Sequence, residues 1–113
     1  MNILLTNDDG INAEGIAVLR KKLTKYGRVV VIAPDGPRSG KSASLTLGTP
    51  IYFNKVEDDV YSCSGTPVDC VSFGLTSLDI KFDLVVSGCN DGWNISYDTI
   101  YSGTIGACLE AVM

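Results

Sequence analysis

The sequence predicts an α/β fold built on a mostly parallel sheet, and three observations carry that prediction. Residues 2–6, Val29–Ala33 and Phe82–Ser87 are short apolar runs, with the near-continuous hydrophobicity of strands buried on both faces. Between the first two lies Ala13–Tyr26, whose apolar residues recur with a helical period. Each run is also followed by a loop rich in Gly, Asn, Asp or Ser. Strand, helix and strand in that order make a β-α-β unit with a right-handed crossover. The loops after its strands fall at the carboxyl edge of the sheet, where open α/β folds hold their ligands.

The elements follow in order. In the first helix Ile16, Leu19 and Leu23 form the inner stripe, while Arg20, Lys21, Lys22 and Lys25 lie mostly outside it. Gly27 reads as its C-cap, after basic residues that suit the last turn. Pro34–Ser44 is a Gly-, Pro- and Ser-rich loop. Residues 45–47 and 50–56 read as extended, and Val60–Cys63 as a short strand after the turn at Glu57-Asp58-Asp59, together a hairpin-like excursion. Ser64-Gly-Thr-Pro-Val-Asp69 is a helix start, with Thr66 as N-cap, Pro67 in the first helical position and Asp69 as the third-position acid. That helix runs to about Leu78. A second loop, Gly88–Asn94, follows the third strand. Another helix opens at Tyr101–Gly106 and reaches Val112-Met113 without a C-cap or polar tail, which reads as an interruption of a longer chain. Trp93, Tyr97 and Tyr101 read as packing residues, although one of them could stack on a base.

Composition narrows the function classes. A chain of 113 residues fits one domain, 1–113, and buries roughly 65% of its unfolded surface, enough for a core. A net charge of −4, with no basic or acidic tail, argues against non-specific binding to duplex nucleic acid or to anionic membrane. No apolar run approaches the ~20 residues of a membrane span, and the N-terminus is a strand without a basic lead. Cys63, Cys70, Cys89 and Cys108 form no C-x-x-C pair and read as buried free thiols, which points to a cytoplasmic protein. Histidine is absent, so any catalysis rests on carboxylates, hydroxyls, amides, backbone donors and a hard metal.

Four groups of residues could carry chemistry. Asp8 and Asp9 end the first strand; adjacent like charges are tolerable when solvated or neutralised by a cation, and Mg²⁺ or Mn²⁺ uses such oxygen ligands. The alternative is an Asx turn that caps the next helix. Arg38-Ser39-Gly40 follows the second strand: Ser39 offers a hydroxyl to a metal, Gly40 lets backbone approach an anion, and Arg38 could meet substrate charge, unless the segment is only a surface loop. Asn90 follows the third strand and could complete an oxygen-rich cation site, or simply make a turn. Ser102, Gly103 and Thr104 open a helix whose free N–H groups attract phosphate, or whose hydroxyls only cap it. All four groups fall at one edge of one sheet.

Together, Asn-Asp-Asp-Gly-Ile-Asn-Ala-Glu-Gly-Ile, Ala-Pro-Asp…Arg-Ser-Gly-Lys-Ser-Ala-Ser-Leu-Thr-Leu, Ser-Gly-Thr-Pro-Val-Asp-Cys-Val, Val-Val-Ser-Gly-Cys-Asn-Asp-Gly-Trp-Asn and Tyr-Ser-Gly-Thr-Ile-Gly-Ala resemble the motifs of the SurE-type stationary-phase survival protein family. The resemblance implies a Rossmann-like, three-layer α/β/α core. It implies a metal-dependent hydrolase of phosphoric monoesters, a 5'/3'-nucleotidase or acid phosphatase with nucleoside monophosphates as substrates. It implies one divalent ion, Mg or Mn, held by Asp8, Asp9, Ser39 and Asn90, with Asp8 and Asp9 also the catalytic carboxylates. It places Asn7, Gly40, Asn94, Ser102, Gly103 and Thr104 against phosphate or substrate. Family members are about twice as long and form dimers or tetramers, so the alternative is a catalytically incomplete, metal- and nucleotide-binding piece of that phosphatase. A phosphorylation-receiver domain fits less well, because no later strand ends in Lys. A dinucleotide-binding domain needs a glycine fingerprint where this chain has Asn7-Asp8-Asp9.

Overall fold

The computed structural model describes residues 1–113. Five strands form one sheet: β1 (Asn2–Thr6), β2 (Arg28–Pro34), β3 (Phe53–Glu57), β4 (Val60–Cys63) and β5 (Leu84–Ser87), in the order β3-β4-β2-β1-β5. β1 pairs parallel with β2 and β5, and β2 pairs parallel with β4; only β3 is antiparallel, as the outer arm of a hairpin with β4. The excursion expected between residues 45 and 63 is therefore this hairpin, and β4 builds it into the main sheet. Residues 45–47 take no strand, because Thr46 is bound by the Asp69 carboxylate instead of a ladder partner.

The four helices are α1 (Glu14–Leu23), α2 (Pro67–Ser77), α3 (Asp98–Tyr101) and α4 (Gly103–Val112). β-Strand alternation sends Ile3, Leu5, Val29, Val31 and Ala33 to one face, where Ile16 of α1 is buried and Leu19 and Leu23 pack beside it. It sends Leu4, Val30 and Ile32 to the other face, against Cys70 and Val71 of α2 and Ala107 of α4. The result is the expected three-layer α/β/α sandwich.

Several local expectations change. The first helix ends at Leu23, earlier than the sequence suggested; Gly27 lies instead where β2 begins, beside the Met1 carbonyl that accepts from Arg28 N–H at 3.0 Å. Helix α2 starts with the expected capping box between Thr66 and Asp69, with Pro67 leading. The third strand is half-exposed, because β5 is an edge strand with nothing on its far side. Helix α3 is a single turn that carries no periodic signal. Cys63 and Cys70 are buried free thiols as expected, but Cys89 and Cys108 are exposed. Trp93, Tyr97 and Tyr101 are exposed too, at 88%, 79% and 63%, so they are not packing residues. No helix is long and apolar enough to cross a membrane.

β1 is where the chain reverses its direction of travel across the sheet. From β1 it runs through α1 to β2, and it returns later through α2 on the opposite face to β5 on the other side of β1. The crevice between the carboxyl ends of β1 and β5 is the topological switch point, the place where such sheets bind ligands.

Candidate functional site

At that switch point a cavity of about 380 Å³ is lined by Asp8, Asp9, Ser39, Gly40, Asn90, Asp91, Gly92, Asn94, Asp98, Tyr101 and Ser102. A larger groove, about 700 Å³, shares Asp9, Asn90 and Asp91 but runs away over Ala13, Val18 and Leu19 of α1. The acid pair, the serine loop and the start of α4 meet only in the smaller one.

The acid pair is held asymmetrically. Asp8 is 7% exposed, and its Oδ1 accepts from Thr104 Oγ1 at 2.8 Å, which ties the end of β1 to the first turn of α4. Asp9 is partly exposed, and its Oδ2 accepts from the Asp91 backbone N–H at 2.9 Å, which ties the same segment to the loop after β5. Asn90 donates its Nδ2 to Gly92 O at 2.8 Å, leaving its amide oxygen free. Ser39 and Gly40 are exposed on the β2 loop.

That loop is fixed against α4. Ser42 N–H donates to Tyr101 O at 2.9 Å, and its hydroxyl donates to Ile100 O. The contact is so close that a Cβ at Gly106 would fall 2.1 Å from the Ser42 carbonyl oxygen, so only glycine fits there. Ser102 is the N-cap of α4: its hydroxyl accepts from Ile105 N–H at 3.3 Å. The first-turn amides of a helix have no intrahelical partner, which is what makes such a helix end attractive to an anion.

Of the residues singled out from sequence, Asp8, Asp9, Ser39, Gly40, Asn90, Asn94 and Ser102 share the cavity wall. Gly103 and Thr104 lie behind it, against Asp8: a Cβ at Gly103 would lie 3.2 Å from the Asp8 Cβ. Asn7 does not reach the cavity. It is fully buried and spends both ends of its amide on Gly10, donating to the carbonyl at 2.8 Å and accepting from the N–H at 3.2 Å, so it shapes the turn that presents the acids. Arg38 is likewise turned away, bonded to Asp35 and to the carbonyls of Gly36, Pro37 and Ser64. Asp98 is an addition to the wall that the sequence did not single out, while Asp91 and Tyr101 belong to the loop and helix start already read as candidates.

Charge decides what the cavity accepts. Four carboxylates line it (Asp8, Asp9, Asp91 and Asp98) and no Lys or Arg does. Burial pushes the Asp8 carboxyl above its ordinary value; the Thr104 hydrogen bond opposes that and the neighbouring Asp9 charge adds to it. A divalent cation would offset that negative charge. Two carboxylates, a free amide oxygen and a hydroxyl form a hard-oxygen set that suits Mg²⁺ or Mn²⁺.

The raised Asp8 carboxyl has a measurable consequence. A group whose folded pKa exceeds its unfolded one contributes full stability below the unfolded value, about 3.9, and loses it as pH rises through the folded value. In EDTA the protein should therefore become less stable as pH climbs out of that range. Asp8→Asn should flatten the slope and raise the melting temperature at pH 7. Thermal melts across pH 4–8 check this (a range set by the carboxylate and neutral values); a lower melting temperature for Asp8→Asn at pH 7 would contradict it.

Comparison with known proteins shows the family. Residues 3–113 match the family model described as "Survival protein SurE". The chain is 50% identical over 111 residues to the 5'-nucleotidase SurE of Acinetobacter baylyi, covering 97% of this chain and 44% of that protein. It is 53% identical over 111 residues to the 5'-nucleotidase SurE of Histophilus somni, covering 97% and 45%. The crystal structure of the SurE protein from Aquifex aeolicus superposes with a TM-score of 0.93 at 44% identity, over 98% of this chain and 46% of that one. The chain thus spans under half the length of the relatives it matches. A match along nearly its whole length, in sequence and in fold, shows that this chain belongs to the SurE survival protein family.

Proposed function

We propose that this chain forms the metal- and phosphate-binding half of a phosphomonoesterase acting on nucleoside monophosphates. The observation that carries the reading is the meeting, in one cavity without a cationic side chain, of Asp8, Asp9, Ser39 and Asn90 with the N-terminus of α4. The nucleotidase names of its relatives support it.

Asp8, Asp9, Ser39 and Asn90 would hold one Mg²⁺ or Mn²⁺, which when bound supplies Lewis-acid neutralisation of the phosphoryl charge. The residues of the chain divide the remaining work. The amides of Gly103 and Thr104 orient two phosphoryl oxygens along the α4 dipole. Thr104 holds the Asp8 carboxylate in one rotamer. Asp8 or Asp9 accepts the proton of the attacking water, and Asn94 bonds a substrate oxygen at the rim. Monoesters suit this wall better than di- or triphosphates, because four carboxylates repel the extra phosphates and no Lys or Arg receives them.

Calorimetry with inorganic phosphate, with and without Mn²⁺, tests the reading together with a p-nitrophenyl phosphate assay. The expected result is phosphate binding that requires Mn²⁺. Phosphate binding that is absent, or indifferent to Mn²⁺, overturns it. Metal-dependent binding without turnover selects the second reading, a binding piece whose catalytic surroundings lie in the other half of its relatives' length.

A further inference from the structure

Arg38 was the charged residue that the sequence placed beside the substrate, and the structure turns its side chain elsewhere. That side chain is only 21% exposed, although its neighbours Pro37 and Ser39 are both exposed. Its two terminal nitrogens donate to four oxygens. One meets the carbonyls of Gly36 at 3.0 Å and Pro37 at 3.1 Å; the other meets the Asp35 carboxylate and the Ser64 carbonyl, the latter at 3.2 Å. Ser64 directly follows β4, so the guanidinium joins the loop after β2 to the loop after β4. The backbone of the same residue serves a third loop, because Arg38 N–H donates to the Asp8 carbonyl at 2.7 Å. The loops after β1 and β2 also touch directly: a Cβ on Gly10 would lie 3.0 Å from the Gly36 carbonyl carbon.

We infer that Arg38 is a positioning residue for the cation: its guanidinium fixes the loop after β2 so that the next residue, Ser39, stands in the cavity wall with Asp8 before a metal arrives. The inference rests on the metal-binding reading above. Entropy supports it. Ser39 lies on an exposed segment with Gly36 and Gly40 close on either side, and such a segment loses much conformational freedom when it is fixed. A loop already ordered by Arg38 spares the cation that cost. Geometry supports it as well. A guanidinium presents several donors in a flat fork, which suits four acceptors spread around two loops, whereas the ammonium of lysine gathers its donors at one point. For Arg38 to meet phosphate instead, all four of these bonds would have to be released.

Removing a group that orients a metal ligand lowers metal affinity by roughly 10–100-fold. Calorimetric titration with Mn²⁺ should therefore show about tenfold weaker binding in Arg38→Ala. Arg38→Lys, which keeps the charge and most of the stem, should lose a similar amount, and it decides the matter should Arg38→Ala fail to fold. In a Ser39→Ala background the further loss should shrink below about twofold, because no hydroxyl is left to position. Inorganic phosphate affinity at saturating Mn²⁺ should match that of the unmodified chain, and the melting temperature in EDTA should stay within about 3 °C of it. Full Mn²⁺ affinity in Arg38→Lys overturns the role of the fork. A loss that persists undiminished without the Ser39 hydroxyl overturns it too, as does weaker phosphate binding with Mn²⁺ affinity intact, which would put the guanidinium on the substrate. Full Mn²⁺ affinity in Ser39→Ala itself overturns the inference and leaves the other ligands standing. If the unmodified chain binds no Mn²⁺, the metal-binding reading fails and the role of Arg38 fails with it.

Discussion

Asp9→Asn should lower Mn²⁺ affinity at pH 7 by at least ~100-fold while leaving the fold intact. Removing a group that merely orients a metal ligand costs 10–100-fold, so removing the charge of a ligand belongs at or beyond the upper end. The substitution is clean because asparagine has the same shape. Its amide oxygen can still accept the Asp91 N–H that now bonds Asp9 at 2.9 Å, and Asp9 is only partly buried. The melting temperature in EDTA should consequently stay within about 3 °C of the unmodified chain, the range of an ordinary surface change. Saturating Mn²⁺ supplies a second readout. At a hundred times its dissociation constant a bound ion stabilises the folded state by about 2.7 kcal/mol. The unmodified chain should therefore melt roughly 10 °C higher with Mn²⁺ than in EDTA, and Asp9→Asn should show almost no difference. An unchanged Mn²⁺ shift would remove Asp9 from the ligand set.

Asp69→Ala should be the most damaging single change outside the site, costing about 3 kcal/mol. Asp69 is 2% exposed, and its carboxylate accepts three hydrogen bonds: from Thr46 N–H at 2.9 Å, Thr46 Oγ1 at 2.6 Å and Thr66 N–H at 2.8 Å. Alanine leaves the Thr66 N–H buried without an acceptor, and each such group costs about 1–3 kcal/mol. The capping box is lost as well. Even Gly65 is adapted to this carboxylate, since a Cβ there would fall 2.3 Å from Asp69 Oδ2. Urea unfolding should show the loss as a lower midpoint, with a melting temperature down by roughly 10–15 °C. A loss under 1 kcal/mol would contradict this account (on a scale where ordinary substitutions centre near 1 kcal/mol). The charge has a pH signature too. Burial pushes the Asp69 carboxyl up, but the bonds from Thr46 and Thr66 outweigh burial and hold it below its ordinary value. Its contribution is thus complete above about pH 3.9 and is lost as pH falls through the lower folded value; Asp69→Ala should remove that part of the acid sensitivity.

These two carboxylates show what could be read from the sequence and what could not. The Thr66-Pro67-Asp69 cap was legible because a helix start is written within four residues. The β-α-β unit was legible from periodicity, and the convergence of Asp8, Ser39 and Asn90 followed from the single fact that each succeeds a parallel strand. Long-range bonds were not legible. Leu45-Thr46-Leu47 alternates like a strand, yet its fate is set by Asp69, 23 residues away. Asp8 meets Thr104 across 96 residues, a contact with no local signature. Asn7, which the family resemblance put at the site, does not line the cavity, because its short amide closes on Gly10 instead. The pairing of β4 with β2 depends on the whole sheet, and neither strand's own sequence announces it.

The Ser42 carbonyl lying over Gly106 makes two segments one mechanical part. Ser39 belongs to the loop after β2 and Tyr101 to the end of α3, sixty-two positions apart in the chain numbering, yet Ser42 bonds the α3 end while its backbone rests on α4. A displacement of either is transmitted to the other. The loop after β2 and the start of α4 are therefore braced against each other, so the cavity wall they share with Asp8 and Asp9 is fixed by contacts made far apart in the chain.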